Sequence, residues 1–302
     1  MLHDSQLAVA PDDTESRVIR TLKVMHEWGY APTLEALSRD LLGGTLPLGD
    51  VMQSIEATTD VVVEDGFACL QGHKRLLHES RNRVESHRVL NGAARTIAEE
   101  FAREIVRTCP LVDCVALSGS VASGGYAPRD DIDIDLFVKD GAKYLVYALA
   151  LILGLRTAIR HHRRFGIRKL ICINVVWTHA ESHPFVRQDQ GLAFELLRCK
   201  PLLGDEHFRD VVKANPWVDA FFPQIRGLST SDVNVPEPGS LGKLVQWIGQ
   251  HERLLHIINR LSRLVTQVAY SVVHWLGRRN ASAMERLRFL QRVKYPYEVF
   301  QD

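Results

Sequence analysis

Two short stretches hold the side chains best suited to chemistry: Leu117-Ser118-Gly119-Ser120 and, a little further on, Asp131-Ile132-Asp133-Ile134-Asp135-Leu136-Phe137-Val138. A strand alternates its side chains, so Asp131, Asp133 and Asp135 face one way and Ile132, Ile134 and Leu136 the other. Carboxylates crowded together in a partly buried place repel one another and resist ionisation. A hard divalent cation relieves that repulsion, and Mg²⁺ prefers carboxylate oxygens while keeping positions open for phosphates. Gly119 lets a phosphate approach the backbone with no Cβ in the way. Ser120 adds a hydroxyl where a helix would begin, and backbone N–H groups there favour an anion. Asp131 and Asp133 are the expected metal ligands, with Asp135, one residue pair deeper, as the second choice. The competing reading is a solvated edge strand that merely alternates acids.

The elements that must position these residues follow from the pattern around them. Leu111 to Leu117 reads as a buried strand, Ser118 to Gly125 as a turn into a short helix, and Ile132 to Val138 as a second strand. A long apolar helix is expected over Ala142 to Arg160 and a third strand over Lys169 to Thr178. Another helix runs from about Phe185 to Cys199 and breaks at Pro201. Upstream, apolar spacing predicts helices over Arg17–Trp28 and Leu34–Leu42, the second capped by Thr33. Asp50 with Gln53 resembles a capping box opening a third helix towards Thr58. Val61-Val62-Val63-Glu64, Asp65-Gly66 and Phe67-Ala68-Cys69-Leu70 read as a hairpin, because Asp-Gly suits a type I′ turn. Three helices followed by a hairpin is the winged-helix order. The third helix carries no arginine or lysine, so a docking or accessory role fits it better than DNA binding. Residues 73 to 108 read as charged helix interrupted at Asn91-Gly92. Residues 226 to 239 read as a linker, and Leu241 to Leu276 as one or two amphipathic helices before a polar tail with Arg286, Arg288 and Arg292.

Composition sets limits on this reading. The chain has 302 residues, 46% hydrophobic and 24% charged, with a net charge of +1. That balance argues against a broad polyanion-coating surface but permits a local basic patch. Five cysteines without C-x-x-C spacing suit reduced thiols in a cytoplasmic protein, and no zinc site is expected. The first residues hold acids and no apolar run, so no signal peptide is expected. Tyr144 to Leu155 is the most apolar segment and is short for a bilayer, so no membrane is expected.

The pattern hydrophobic-Gly-Ser, a gap, then Asp-hydrophobic-Asp on a strand resembles the nucleotidyltransferase superfamily related to DNA polymerase beta. More narrowly it resembles a bacterial group in which a winged helix precedes such a domain; Ile171-Cys172-Ile173-Asn174 and Lys200-Pro201-Leu202-Leu203-Gly204 match as well. The resemblance covers residues 17 to 225. It implies an α+β fold, a nucleotidyltransferase-type mixed sheet flanked by helices, with an N-terminal winged helix and a C-terminal helical segment. The corresponding division is 1–75 winged-helix-like accessory domain, 76–108 connecting helix, 109–225 catalytic domain and 226–302 helical C-terminal segment. It further implies Mg²⁺-dependent transfer of a nucleoside monophosphate from a nucleoside triphosphate to a hydroxyl acceptor. Gly119, Ser120 and Asn174 would contact the nucleotide, and Asp131 and Asp133 the metal. The superfamily commonly has a third carboxylate where this chain has Asn174, and an amide cannot take a proton near neutral pH. Glu195, on a largely apolar helix, is the preferred substitute base; pairing with Arg198 or Arg187 is its alternative explanation. His179, Glu181 and Asp189 are weaker candidates.

The near-neutral charge favours a small-molecule acceptor over a nucleic acid. The basic run Arg156, Arg160, His161, His162, Arg163, Arg164, Arg168 and Lys169 could reach a triphosphate or polyanion, or be a solvated loop. Tyr126 could stack on a base or simply pack. Two other functions stay open: a nucleotide-sensing regulator with a degenerate transferase domain, and an enzyme modifying nucleic acid or protein.

Overall fold

The computed structural model describes residues 13–128, 130–165, 170–227 and 235–277. Helix α1 (Thr14–Glu27) opens on Asp13, whose side chain accepts from the Ser16 N–H at 2.7 Å. Helix α2 (Leu34–Arg39) is capped by Thr33 as expected. Helix α3 spans Leu48–Glu56 and starts at Pro47 with no side-chain cap, so the capping box at Asp50 does not form. Proline begins a helix without losing a bond, because its missing N–H would have been unpaired there. Strands β1 (Val61–Glu64) and β2 (Phe67–Leu70) pair antiparallel about Asp65-Gly66, both at positive φ (50° and 78°), as a type I′ turn requires.

Helix α4 (Arg75–Thr108) runs 34 residues without a break at Asn91-Gly92. A helical glycine costs about 1 kcal/mol relative to alanine. Burial of Ala94, Ile97, Ala98, Phe101 and Ile105 against the sheet outweighs it. Strand β3 (Val112–Leu117), the one-turn helix α5 (Gly119–Ser123) and strand β4 (Ile132–Val138) follow. Helix α6 (Lys143–Phe165) then crosses over to strand β5 (Ile171–Thr178), which lies parallel to β4. Asn259 Oδ1 caps α6, accepting from the N–H groups of Tyr144 and Leu145 at 2.8 and 3.0 Å. The short α7 (His179–Ser182) and α8 (Gln190–Arg198) come next; α8 starts at its Asp189 cap, later than Phe185. A fourth strand, β6 (Lys200–Leu203), occupies the place where a break at Pro201 was expected. Helices α9 (Asp205–Ala214), α10 (Trp217–Phe221), α11 (Ser240–Gly249) and α12 (Glu252–Gly277) follow among the described residues.

The sheet is mixed, in the order β5-β4-β3-β6, with β3 antiparallel to both neighbours. Its two faces are covered differently. Ile132, Ile134, Leu136 and Val138 pack with α4 and α6 in one core. Ala116, Phe137 and Trp177 pack on the other face with Phe194 of α8, Phe208 of α9, and Leu22, Leu37 and Val51 of the first three helices. The N-terminal helices therefore share a core with the sheet. Tyr126 is fully buried, so it packs and does not stack on a base.

The basic run is helix rather than loop as far as Phe165. Arg156 and Arg160 reach Glu104 of α4, and His161 lies beside Glu100. Arg168, Lys169 and the tail with Arg286, Arg288 and Arg292 lie outside the described residues. The apolar helix is longer than Tyr144–Leu155: over Lys143–Arg163 it meets the length and hydropathy of a membrane span, with 44% of its most apolar stretch buried in the protein. All five cysteines are free thiols.

Candidate functional site

Alternation along β4 puts Asp133 and Asp135 on the face that carries Phe137, with Asp131 just before the strand. β3 and β4 are antiparallel, so the chain leaves β3 at Leu117, opposite Ile134, and turns back over the start of β4. The Ser118 N–H donates to the Asp133 carbonyl at 3.0 Å, which ties the Gly-Ser turn to that strand. Gly119 follows at φ +62°. A Cβ at Gly119 would collide with the Asp133 carboxylate and stand 2.8 Å from its Cγ. Glycine is thus needed twice, for its dihedral and for the space Asp133 fills. The turn and the acid form one cradle.

Asp131 and Asp133 are half-buried, as is Ser120. Ser120 Oγ is shielded from solvent and has no hydrogen-bond partner among the described residues, which leaves a hydroxyl over at the turn. Helix α5 is only one turn, so its dipole contributes little to an anion site.

Asp135 stands apart from the other two acids. It is fully buried, and its Oδ1 accepts from Ser118 Oγ at 2.9 Å and Asn174 Nδ2 at 3.0 Å. The Cys199 thiol donates to Oδ2 at 3.1 Å. Burial pushes its pKa up to about 6, against the pull of those three hydrogen bonds. The same burial, with Asp135 next, holds the Cys199 thiol well above its ordinary value, so it stays a donor. Asp135 braces the turn from below rather than lining the cradle.

Asn174 sits in a bulge of β5. The register with β4 passes from Ile134 opposite Ile173 to Asp135 opposite Val175, and Asn174 is the extra residue. Its amide also reaches Glu195 Oε1 at 3.1 Å and Ser118 Oγ at 3.4 Å. Glu195, 6% exposed on α8, is therefore joined through Asn174 to Asp135 and the turn. Arg198 is engaged elsewhere: it donates to Tyr30 Oη, to Asp40 Oδ2 at 3.3 Å, and to Ser123 Oγ and O at 3.2 Å each. It thereby ties the N-terminal helices to the end of α5. Arg187 pairs with Asp189, Glu181 with Lys143, and His179 lies at the far end of β5.

One cation was not singled out as a site residue. Lys200 heads β6 directly opposite Leu117, beside the turn. It is solvent-exposed, yet its pKa is lowered, first by partial desolvation and then by Arg198, Arg39 and Arg95. A cation crowded by cations gains from an anion nearby. The matching Lys200-Pro201-Leu202-Leu203-Gly204 segment was the signal that could have found it.

Among the described residues, no three His, Cys, Asp or Glu side chains converge as a ready-made metal site. Mg²⁺ needs fewer, since one or two carboxylates plus substrate phosphates commonly hold it. Asp131 and Asp133, with the Gly119 cradle and the leftover Ser120 hydroxyl, fit that donor set. No family model, curated protein or solved structure matches this chain.

Proposed function

We propose that the chain is a Mg²⁺-dependent nucleotidyltransferase that moves a nucleoside monophosphate from a nucleoside triphosphate to the hydroxyl of a small-molecule acceptor. The observation that carries this reading is the contact between Gly119 and Asp133, which sets a side-chain-free turn against one acid of the proposed metal-holding pair. Asp131 and Asp133 would hold Mg²⁺, whose charge, when bound, offsets that developing on the leaving pyrophosphate. Gly119 gives the triphosphate backbone access, and Ser120 and Lys200 supply a hydroxyl and a cation at its edge. Ser118, Asp135 and Asn174 keep the turn in register with β4 through their shared hydrogen bonds. Glu195 is the carboxylate proposed to take the acceptor's proton. Its link to Asn174 supports that assignment, because Asn174 stands where the superfamily commonly has its third acid.

Support for a winged helix upstream comes from an isolated antiparallel bridge between Thr33 and Phe67, which docks the start of α2 on the hairpin. Helix α3 offers no basic residue, so we assign the unit an accessory role. Arg156 and Arg160 are paired with Glu104, which weakens the case for a nucleic-acid or protein substrate. Free thiols throughout support a cytoplasmic setting.

A nucleotide-sensing regulator is the second reading, favoured by the neutral Asn174 at the third-acid position. Purified protein incubated with Mg²⁺ and each labelled triphosphate, with and without acceptor pools, separates the two. Under the first reading pyrophosphate is released, and release is lost in Asp131→Asn and Asp133→Asn variants that retain the native far-ultraviolet spectrum. Nucleotide binding without turnover selects the second. Absence of both binding and turnover refutes both.

A further inference from the structure

We propose that His179, His183 and His207 form a binding site for a transition-metal dication of the Zn²⁺ class, at the opposite end of the sheet from Asp133. His179 opens α7 and His183 caps its end, at positions i and i+4, and His207 stands in the first turn of α9. The ring centroids of His183 and His207 are 5.5 Å apart and those of His179 and His207 6.2 Å. Three imidazoles bound tetrahedrally at a metal–nitrogen distance of about 2 Å place their centroids about 5 Å apart. Two of the three separations already approach that value. The third is shorter, because His179 and His183 stack at 3.9 Å, and a rotation of one ring about its side-chain torsions opens it. The three rings thus lie within one cluster, and binding requires that the stacked pair part so that all three nitrogens meet the ion.

The nitrogens are prepared for the role. His183 Nδ1 lies 3.2 Å from the His179 carbonyl and 2.9 Å from Ser182 Oγ. A bond from Nδ1–H to that carbonyl leaves the Nε2 lone pair facing away, and metal-binding histidines are commonly oriented this way. His207 Nε2 is shielded from solvent and has no hydrogen-bond partner among the described residues, which is costly for a polar atom unless something binds it. Asp210 lies near both rings and the half-buried Asp113 near His179 and His183, giving the cluster acidic neighbours.

The supporting elements are firm. Thr178 and Glu181 form a reciprocal capping box on α7. Buried Asn215, past the end of α9, accepts from the Phe185 N–H at 2.9 Å and donates to the carbonyls of Ser182 and Val211, both at 2.7 Å. One side chain therefore fixes the segment carrying His183 to the helix carrying His207. His179 is exposed and the other two are half-buried, which leaves an entry path. Five residues of β4 separate Asp133 from the strand end beside α7, about 17 Å at strand rise. The site is therefore distinct from the Asp131–Asp133 pair.

Titration calorimetry of the full chain with Zn²⁺ near neutral pH tests this, alongside His179→Ala, His207→Ala, their double variant and a His161→Ala/His162→Ala control. The expected result is one Zn²⁺ per chain, at least tenfold weaker in each single variant and unchanged in the control. Binding should also be lost near pH 5, where imidazoles protonate. Co²⁺ in place of Zn²⁺ should give visible bands of four-coordinate nitrogen and oxygen ligation. Affinity unchanged in a double variant with native circular dichroism, or a thiolate-to-cobalt charge-transfer band, overturns the proposal.

Discussion

Replacing Asp135 by asparagine should change how stability responds to pH, by an amount the structure sets. Asp135 is fully buried, and burial raises its pKa from 3.8 to about 6. Between those values the native protein holds a proton that the unfolded chain has released. Native stability therefore falls as pH rises through that window. The contribution is fully present below the unfolded value and lost above the folded one. A shift of about two units at 1.36 kcal/mol per unit amounts to about 3 kcal/mol. Asparagine keeps the shape, and its oxygen can still accept from Ser118 and Asn174, but it does not titrate. Urea unfolding of both proteins at steps from about pH 3.5 to 7 isolates this term by difference. Relative to wild type, the variant should gain about 3 kcal/mol across the range, most of it between about pH 4 and 6. A flat difference would show that Asp135 ionises as it does in water. A difference of opposite sign would mean that the hydrogen bonds from Ser118, Asn174 and Cys199 outweigh burial.

Two further substitutions probe the turn and its tether. Gly119→Ala carries a left-handed dihedral cost of roughly 1–2 kcal/mol and also displaces the Asp133 carboxylate. Gly124→Ala, at φ +81° with nothing within 4 Å of its Cβ, carries the dihedral cost alone. Pyrophosphate release should fall at least tenfold in the first and stay near wild type in the second; equal losses would remove the cradle argument. Arg198→Ala should lower stability in urea by about 3 kcal/mol, the low end for breaking a buried pair, because Arg39 still bonds Asp40 at 2.7 Å. A loss under about 1 kcal/mol, as for an exposed pair, would show the tether to be idle.

The parts legible in the chain were those governed by local rules. β4 declares itself by strict alternation, and the 61–70 hairpin by Asp65-Gly66, which only a type I′ turn explains well. β6 was hidden because Lys200-Pro201 looks like a helix stop, and nothing local says that β3 has an edge open to receive it. The continuity of α4 was hidden for the same reason, since Gly92 is a local break signal overruled by distant packing. In the site, Asp133 beside Gly119 follows from strand geometry and chain reversal. The separate fate of Asp135 does not, because three acids of identical type and spacing differ only in what covers them. Asn174 was read as standing in for an acid; its place in a bulge, bonded to Asp135 and Glu195, depends on β5 register. Lys200 enters only once β6 exists.

Because Leu22, Leu37 and Val51 lie in the same apolar mass as Ala116, Phe137 and Phe194, the first third of this chain is not a bead that recombination could swap for another. A fragment starting near residue 76 would strip Leu22, Leu37 and Val51 from that core and leave Arg198 without Tyr30 and Asp40. Inheritance of the two portions is thereby locked together. A single guanidinium, that of Arg198, joins Tyr30 and Asp40 to Ser123 at the end of the short helix that the Gly-Ser turn begins.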